Sequence, residues 1–295
     1  MDGERVLVTG GAGFIGSHLV DALHETNDVA ILDAAPTGEA PIKVEVIQGD
    51  IRNEETVADA VADTDVVFHE AALVSVAESI DHPKASHATN ATGTLNVLEA
   101  ARRHDARVVA ASSAAIYGHP EEIPVSEAHS LEPTSPYGID KLATDHYTRR
   151  YHDLYGLETV ALRYFNVYGP DQTGGDYGVI KVFFEQARNG DPITVHGDGT
   201  QTRDFVHIED VVQANLLAAE TDAVGEAYNV GTGDSITIRE LAELIRNAVG
   251  SDSKIVHTDP REGDIDHSRA DIDKARDRLG YEPEIELEEG LKTLV

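Results

Sequence analysis

The chain has 295 residues, long enough for one large domain or two smaller ones with an ample core. It contains no cysteine, which excludes disulfides, thiolate metal sites and cysteine nucleophiles. Its 54 acidic residues against 23 basic ones leave a formal net charge of −31, a field that repels nucleic acid and anionic membranes, so neither is expected as a partner.

The acids are spread through the chain, not gathered in a tail, and suit a solvated surface in concentrated salt, where counter-ions screen the repulsion. A halophilic source is therefore expected. The N-terminus MDGERVLVTGG has no basic region followed by a long apolar core, and no apolar run approaches the ~20 residues of a membrane span. A soluble, cytoplasmic protein is the expectation.

Taken in chain order, 5–10, 28–33, 43–50, 65–72, 107–113 and 159–165 are short apolar, β-branched runs that read as buried strands. Helical patterns at 15–25, 56–62, 91–104 and 141–155 lie between them. This alternation predicts an α/β fold of the Rossmann type, a doubly wound parallel sheet with helices on both faces and ligands beyond the carboxyl ends of the strands. After residue 168 glycine- and aspartate-rich loops (169–178 and 196–204) alternate with helical runs at 179–190, 207–220 and 235–250, and a short strand at 227–231. The expected division is a cofactor-binding domain over 1–168, with 204–233 returning to it, and a smaller α/β lobe over 169–203 and 234–295.

VLVTGGAGFIGSHLVDAL is the strongest local signal. Gly10, Gly13 and Gly16 fit G-x-x-G-x-x-G, and Gly11, Gly13 and Gly16 fit G-x-G-x-x-G, between a strand and a helix as the motif requires. Glycine lets backbone N–H groups approach a pyrophosphate, and the helix N-terminus adds partial positive charge. Asp33 ends the second strand, 17 residues after Gly16, placed to bond a ribose hydroxyl and repel a 2′-phosphate, which favours NAD over NADP. Asp50, ending the third strand, is placed to reach the adenine amino group. A P-loop is excluded, since no Gly-Lys-Ser/Thr follows.

Two Tyr-x-x-x-Lys pairs occur, Tyr137/Lys141 and Tyr177/Lys181. Only the first follows a strand with serines at its carboxyl end, Ser112 and Ser113, and a helix starting near Pro136 would put its two members on one face. Lys141, helped by the positive nicotinamide ring, would then lower the tyrosine's pKa. A drop from ~10 to ~7 needs about 4 kcal/mol of differential stabilisation, within reach of two cations in a partly dry site. Ser113, Tyr137 and Lys141 beside NAD would take a proton from an alcohol as hydride leaves its carbon. The fourteen histidines form no metal-binding pattern, so no metal is expected, and His69 is read as orienting backbone.

With TGGAGFIG, GDIRN, HEAA, SSAAIYG, YGIDK, LRYFNVYGP, GDGTQTRDFVHIEDV and REGD in view, the chain resembles the extended short-chain dehydrogenases/reductases of the NAD-dependent epimerase/dehydratase family, over nearly its whole length. The nearest branch is the UDP-glucose 4-epimerases. The resemblance implies cofactor contacts from Gly10, Gly13, Phe14, Ile15, Asp33, Asp50, Ile51, Ala71, Ala72, Asn90, Tyr137, Lys141 and Phe165. It implies catalysis by Ser113, Tyr137 and Lys141, with Asn166, Arg203 and Arg261 on the diphosphate of a nucleotide sugar and Asp264 on its ribose. It implies transient oxidation at carbon 4 through a 4-keto sugar, and a homodimer through helices near 92–103 and 142–154.

Departures from the pattern narrow the reading. Ala114 and Ala115 stand where the similar dehydratases carry an Asp-Glu pair and the decarboxylases a glutamate, which favours simple epimerisation. Ser268 stands where the epimerase branch varies a gating residue, and its small size implies room for N-acetylhexosamines. Hexuronic-acid epimerases stay open. So do a dehydrogenase or reductase of the same fold, and a non-catalytic nucleotide-binding regulator.

Overall fold

The computed structural model describes residues 1–35, 44–172, 178–261 and 263–295. Its centre is a parallel sheet of seven strands, β1 (Arg5–Thr9), β2 (Asp28–Asp33), β3 (Glu45–Gln48), β4 (Val66–His69), β5 (Arg107–Ser113), β6 (Thr159–Tyr164) and β7 (Glu226–Val230). They lie in the order β7-β6-β5-β4-β1-β2-β3, so the chain reverses direction across the sheet between β1 and β4. The doubly wound α/β fold expected from the sequence is the one observed.

Side-chain alternation explains why both faces are covered. Val6 and Val8 of β1 enter one apolar cluster with the helices Phe14–Leu23 and Ile208–Glu220. Leu7 enters the other, with the helices Glu54–Val61, Gly93–His104 and Pro136–Tyr155. All three residues are inaccessible to water, which for an apolar side chain is worth roughly 1.5–3 kcal/mol each.

Several strands end earlier than expected, because the chain turns off the sheet into the cleft. β1 stops at Thr9, where Gly10 takes a left-handed φ of +70°, and β4 stops at His69, with Glu70–Ala72 leaving the ladder. Lys43, expected in the third strand, lies outside the described residues. The helix expected to start near Pro136 and to run through 141–155 spans Pro136–Tyr155, and Ser135 caps it by accepting the Gly138 N–H.

Beyond β6 the chain builds a third apolar cluster containing Phe183, Phe184, Ile193, Val195, Leu241 and Ile245. Three small strand pairs frame it. Asn166–Tyr168 runs parallel to Phe205–His207, Ile193–His196 parallel to Ile255–Thr258, and Thr202–Arg203 antiparallel to Ile236–Thr237. The chain crosses between the sheet and this cluster repeatedly. After the helix Val179–Asn189 it returns for Ile208–Glu220 and β7, leaves for Ile238–Val249, and returns with Asp273–Leu279 against β7. It ends with Leu287–Lys292 packed on Ile238–Val249. Among the described residues, no helix is long and apolar enough to cross a membrane.

Candidate active site

The glycine turn is a cradle that side chains would fill. A Cβ on Gly10 would stand 2.7 Å from the Ala71 nitrogen, and one on Gly16 only 2.2 Å from the Gly10 carbonyl oxygen. Gly13 donates its N–H to that same carbonyl at 2.9 Å, and the helix opens at Phe14 and Ile15 with no side-chain cap. The carboxylate of Asp33 accepts from the Ala12 N–H at 3.0 Å, tying the end of β2 to the turn. A turn with open N–H groups, no Cβ in the approach and an acid at the next strand end fits a dinucleotide.

The other expected cofactor residues divide. Ile51 and Ala71 lie beside the turn and its neighbours, Ile51 against Gly93 and Ala71 against Gly10, with Ala72 following in the same segment. Phe165 is buried directly beyond β6. Asp50, expected at the adenine, is bonded by the Arg52 guanidinium, whose Nε donates to both carboxylate oxygens at 2.9 Å. That hydrogen bonding keeps its carboxyl below the usual range. Asn90 turns its amide onto the Leu73 backbone, accepting the N–H at 2.8 Å and donating to the carbonyl at 2.9 Å. It clamps the segment after β4 and is 2 % exposed.

Ser113, Tyr137 and Lys141 come together at the carboxyl end of β5. Gly138 makes this possible, since a Cβ there would meet the Ala115 carbonyl at 2.8 Å, so the helix approaches the turn after β5 at closest range. Lys141 reaches under the sheet end and donates to the Ala111 carbonyl at 2.7 Å. Asp140, buried beside it, accepts from the Ser86 hydroxyl at 2.6 Å and locks the helix start. His69 bridges Thr9 (2.8 Å) and Thr94 (3.0 Å), and burial pushes its pKa down to about 3, so it stays neutral.

One expectation is corrected here. In the protein's own groups, burial raises the Tyr137 pKa; Ser113 hydrogen bonding opposes the rise, and the Glu70 carboxylate adds to it. Burial lowers the pKa of Lys141 itself to about 8, and the Glu70 charge opposes that fall. Glu70 was missed in the sequence. A glutamate closing the apolar run DVVFHE was the available signal, and its burial raises it to about 7.

Ser113 is level with Tyr164 across β5–β6, and Asn166 lies two residues further, at the edge of a cavity of about 370 Å³. Phe183, His196, Arg203, Arg261 and Asp264 also line it. Arg203 and Asp264 form an ion pair, so the carboxylate expected on a ribose holds a guanidinium here. Asn166 donates to the Asp204 carbonyl at 2.9 Å. Arg261 also borders a neighbouring cavity of about 790 Å³ with His257 and His267. Ser268 is nearly buried and donates its N–H to the Thr202 carbonyl at 3.1 Å. Of the second Tyr-x-x-x-Lys pair, Tyr177 lies outside the described residues, while Lys181 donates to the Gln172 carbonyl at 3.0 Å, away from β5.

The sheet, the glycine turn and the Ser-Tyr-Lys cluster together define a dinucleotide-dependent enzyme of the short-chain dehydrogenase/reductase type. The NAD dependent epimerase/dehydratase family matches residues 6–231, and the chain belongs to that family. A relative described as a putative UDP-glucose 4-epimerase of Methanocaldococcus jannaschii is 42% identical over 299 residues, covering 98% of this chain and 97% of its own. The UDP-N-acetylglucosamine 4-epimerase of Methanobrevibacter ruminantium, solved with UDP-N-acetylmuramic acid, superposes with a TM-score of 0.94 at 37% identity, covering 99% of this chain and 97% of its own. The UDP-glucose 4-epimerase of Thermus thermophilus, solved with NAD, gives 0.89 at 38% identity, covering 98% and 97%.

Proposed function

We propose that the protein is an NAD-dependent 4-epimerase of nucleotide sugars that interconverts UDP-glucose and UDP-galactose. The observation that carries this reading is the convergence of Ser113, Tyr137 and Lys141 beside the glycine turn, next to a cleft carrying Arg203 and Arg261. Gly10, Gly13 and Gly16, with the first N–H groups of the helix at Phe14 and Ile15, hold the pyrophosphate, and Asp33 holds the ribose. When bound, the nicotinamide supplies reversible hydride exchange with carbon 4 of the sugar, without net redox change.

The chain's own residues do the rest. Tyr137 Oη takes the proton of the carbon-4 hydroxyl, and Ser113 Oγ bonds the same sugar oxygen as its charge changes. Lys141 supplies positive charge from its anchor on Ala111. Arg203 and Arg261 clamp the diphosphate while the 4-keto sugar turns over between them and Tyr137. Ala114 and Ala115, which open the turn after Ser113, bring no acid or base for eliminating water or carbon dioxide. The small Ser268 supports a second reading, in which N-acetylhexosamines are also accepted.

The test is incubation in ~2 M KCl with UDP-galactose and no added reductant. UDP-glucose forms without accumulation of reduced nicotinamide, and Tyr137→Phe lowers kcat by ~10²–10⁴-fold with the fold intact. A Tyr137→Phe variant of full activity sinks the assignment, and UDP-N-acetylgalactosamine in the same assay decides the second reading. We also propose a homodimer through the helices Gly93–His104 and Pro136–Tyr155, where Tyr147, Leu154 and Tyr155 are exposed. A monomer of 31.8 kDa in sedimentation equilibrium overturns it.

A further inference from the structure

Glu70 lies one residue beyond the β4–β5 pair His69–Ala110, which sets it level with Ala111, the residue whose carbonyl anchors Lys141. Its backbone underlies the glycine turn, since a Cβ on Gly10 would stand 3.0 Å from the Glu70 carbonyl carbon. Its Oε1 accepts from the Tyr164 hydroxyl at 2.9 Å. That hydroxyl is in turn held by Asn215, whose Nδ2 donates to it at 2.8 Å from the helix Ile208–Glu220. Tyr164 is itself level with Ser113. The carboxylate is thus fixed at the floor of the Ser113–Tyr137–Lys141 cluster, and none of the roles given above uses it.

We propose that Glu70 is a positioning residue of this acid–base set, a half-buried carboxylate held by Tyr164 at the level of the Lys141 anchor, whose charge governs how readily Tyr137 gives up its proton. The role rests on the epimerase reading and deepens it. The titratable groups facing Glu70 are Tyr164 from β6 and Tyr137 and Lys141 from the helix Pro136–Tyr155. β5 presents Ala111 and Ser113, the helix Ile208–Glu220 presents Asn215, and the glycine turn presents backbone, none of which titrates. His69 points to Thr9 and Thr94 and stays neutral. A carboxylate charge near a phenol disfavours the phenolate, and a nearby cation favours the carboxylate. The directions agree: burial raises Glu70 to about 7 and lowers Lys141 to about 8, and the Glu70 charge holds the proton on Tyr137.

Glu70→Gln keeps the side chain's shape and its acceptor for Tyr164 while removing the charge. Phenolate absorbance is titrated in the wild-type protein and in Glu70→Gln, each with and without Tyr137→Phe to isolate the Tyr137 signal. Tyr137 titrates about one pH unit lower in Glu70→Gln. The rising limb of kcat for UDP-galactose moves with it, while KM does not. Glu70→Ala, which removes the same charge and also gives up the hydrogen bond to Tyr164, moves both in the same direction. An unmoved Tyr137 titration in Glu70→Gln overturns the proposal, and if that variant does not fold, an unmoved titration in Glu70→Ala does so. A shifted titration in a protein that leaves UDP-galactose untouched supports the role of Glu70 and overturns the epimerase reading instead.

Discussion

His69 shows how a single buried group couples the sheet to pH. Its ring is 3 % exposed, bonded on both nitrogens, and its folded pKa of about 3 lies below the ordinary 6.5. A depressed pKa contributes stability that is fully present above 6.5 and is lost as pH falls toward 3. At pH 5 the loss is about 2 kcal/mol. His69→Gln should therefore melt less differently between pH 7 and pH 5 than the wild-type protein does, and equal pH dependence in the two would sink the account. At this scale the Ser113–Tyr137–Lys141 cluster was legible, because its spacing and its place after a serine-ended strand are sequence properties. The partners of Asp50 and Asp264 and the company kept by Glu70 were not. Those depend on which cation or hydroxyl the fold brings alongside, across 61 residues in the case of Arg203 and Asp264.

The helix Pro136–Tyr155 is the element on which the site depends. Ser135 caps it, Pro136 presets its first turn, and Asp145 inside it takes a bidentate pair from the fully buried Arg163 of β6, at 2.8 and 3.1 Å. Removing one partner of such a pair leaves an uncompensated buried charge, so this pair pins the middle of the helix to the sheet, as Lys141 on the Ala111 carbonyl pins its first half. Gly138 fixes how close it lies. Gly138→Ala would set a Cβ 2.8 Å from the Ala115 carbonyl and 2.9 Å from Pro133, and overpacking of this kind costs about 1–3 kcal/mol. We expect a lowered Tm and a kcat that falls more than KM rises, because Tyr137 moves away from Ser113. An unchanged kcat would show that the approach tolerates a methyl group. Helices and core strands were readable from periodicity and from caps such as Ser135. The pairs Asn166–Tyr168 with Phe205–His207, and Thr202–Arg203 with Ile236–Thr237, were not, because two or three residues carry no alternation to detect.

For the whole molecule, the net charge of −31 sets the solution in which the fold is comfortable. Mutual repulsion on this scale falls as salt shortens the screening length from ~10 Å at 0.1 M to ~3 Å at 1 M. The Tm should therefore rise between ~0.1 M and ~3 M KCl, and a constant Tm would remove the case for a surface adapted to salt. The doubly wound sheet was legible because its central strands β1, β4, β5 and β6 are buried and announce themselves as apolar runs. The later return of the helix Asp273–Leu279 to β7 was not, since it is decided by contacts between distant segments.

That threading bears on how the catalyst can move. A jaw opens about one pivot, but here the chain crosses between the sheet and the third apolar cluster several times, in to the helix Ile208–Glu220, out to Ile238–Val249 and back to Asp273–Leu279 against β7. Joints repeated in this way resist gaping. The half-turn that inverts a sugar then falls to the substrate, swivelling on its diphosphate tether inside a frame that holds still, and any sugar whose two faces meet Tyr137 at the same reach can make that turn.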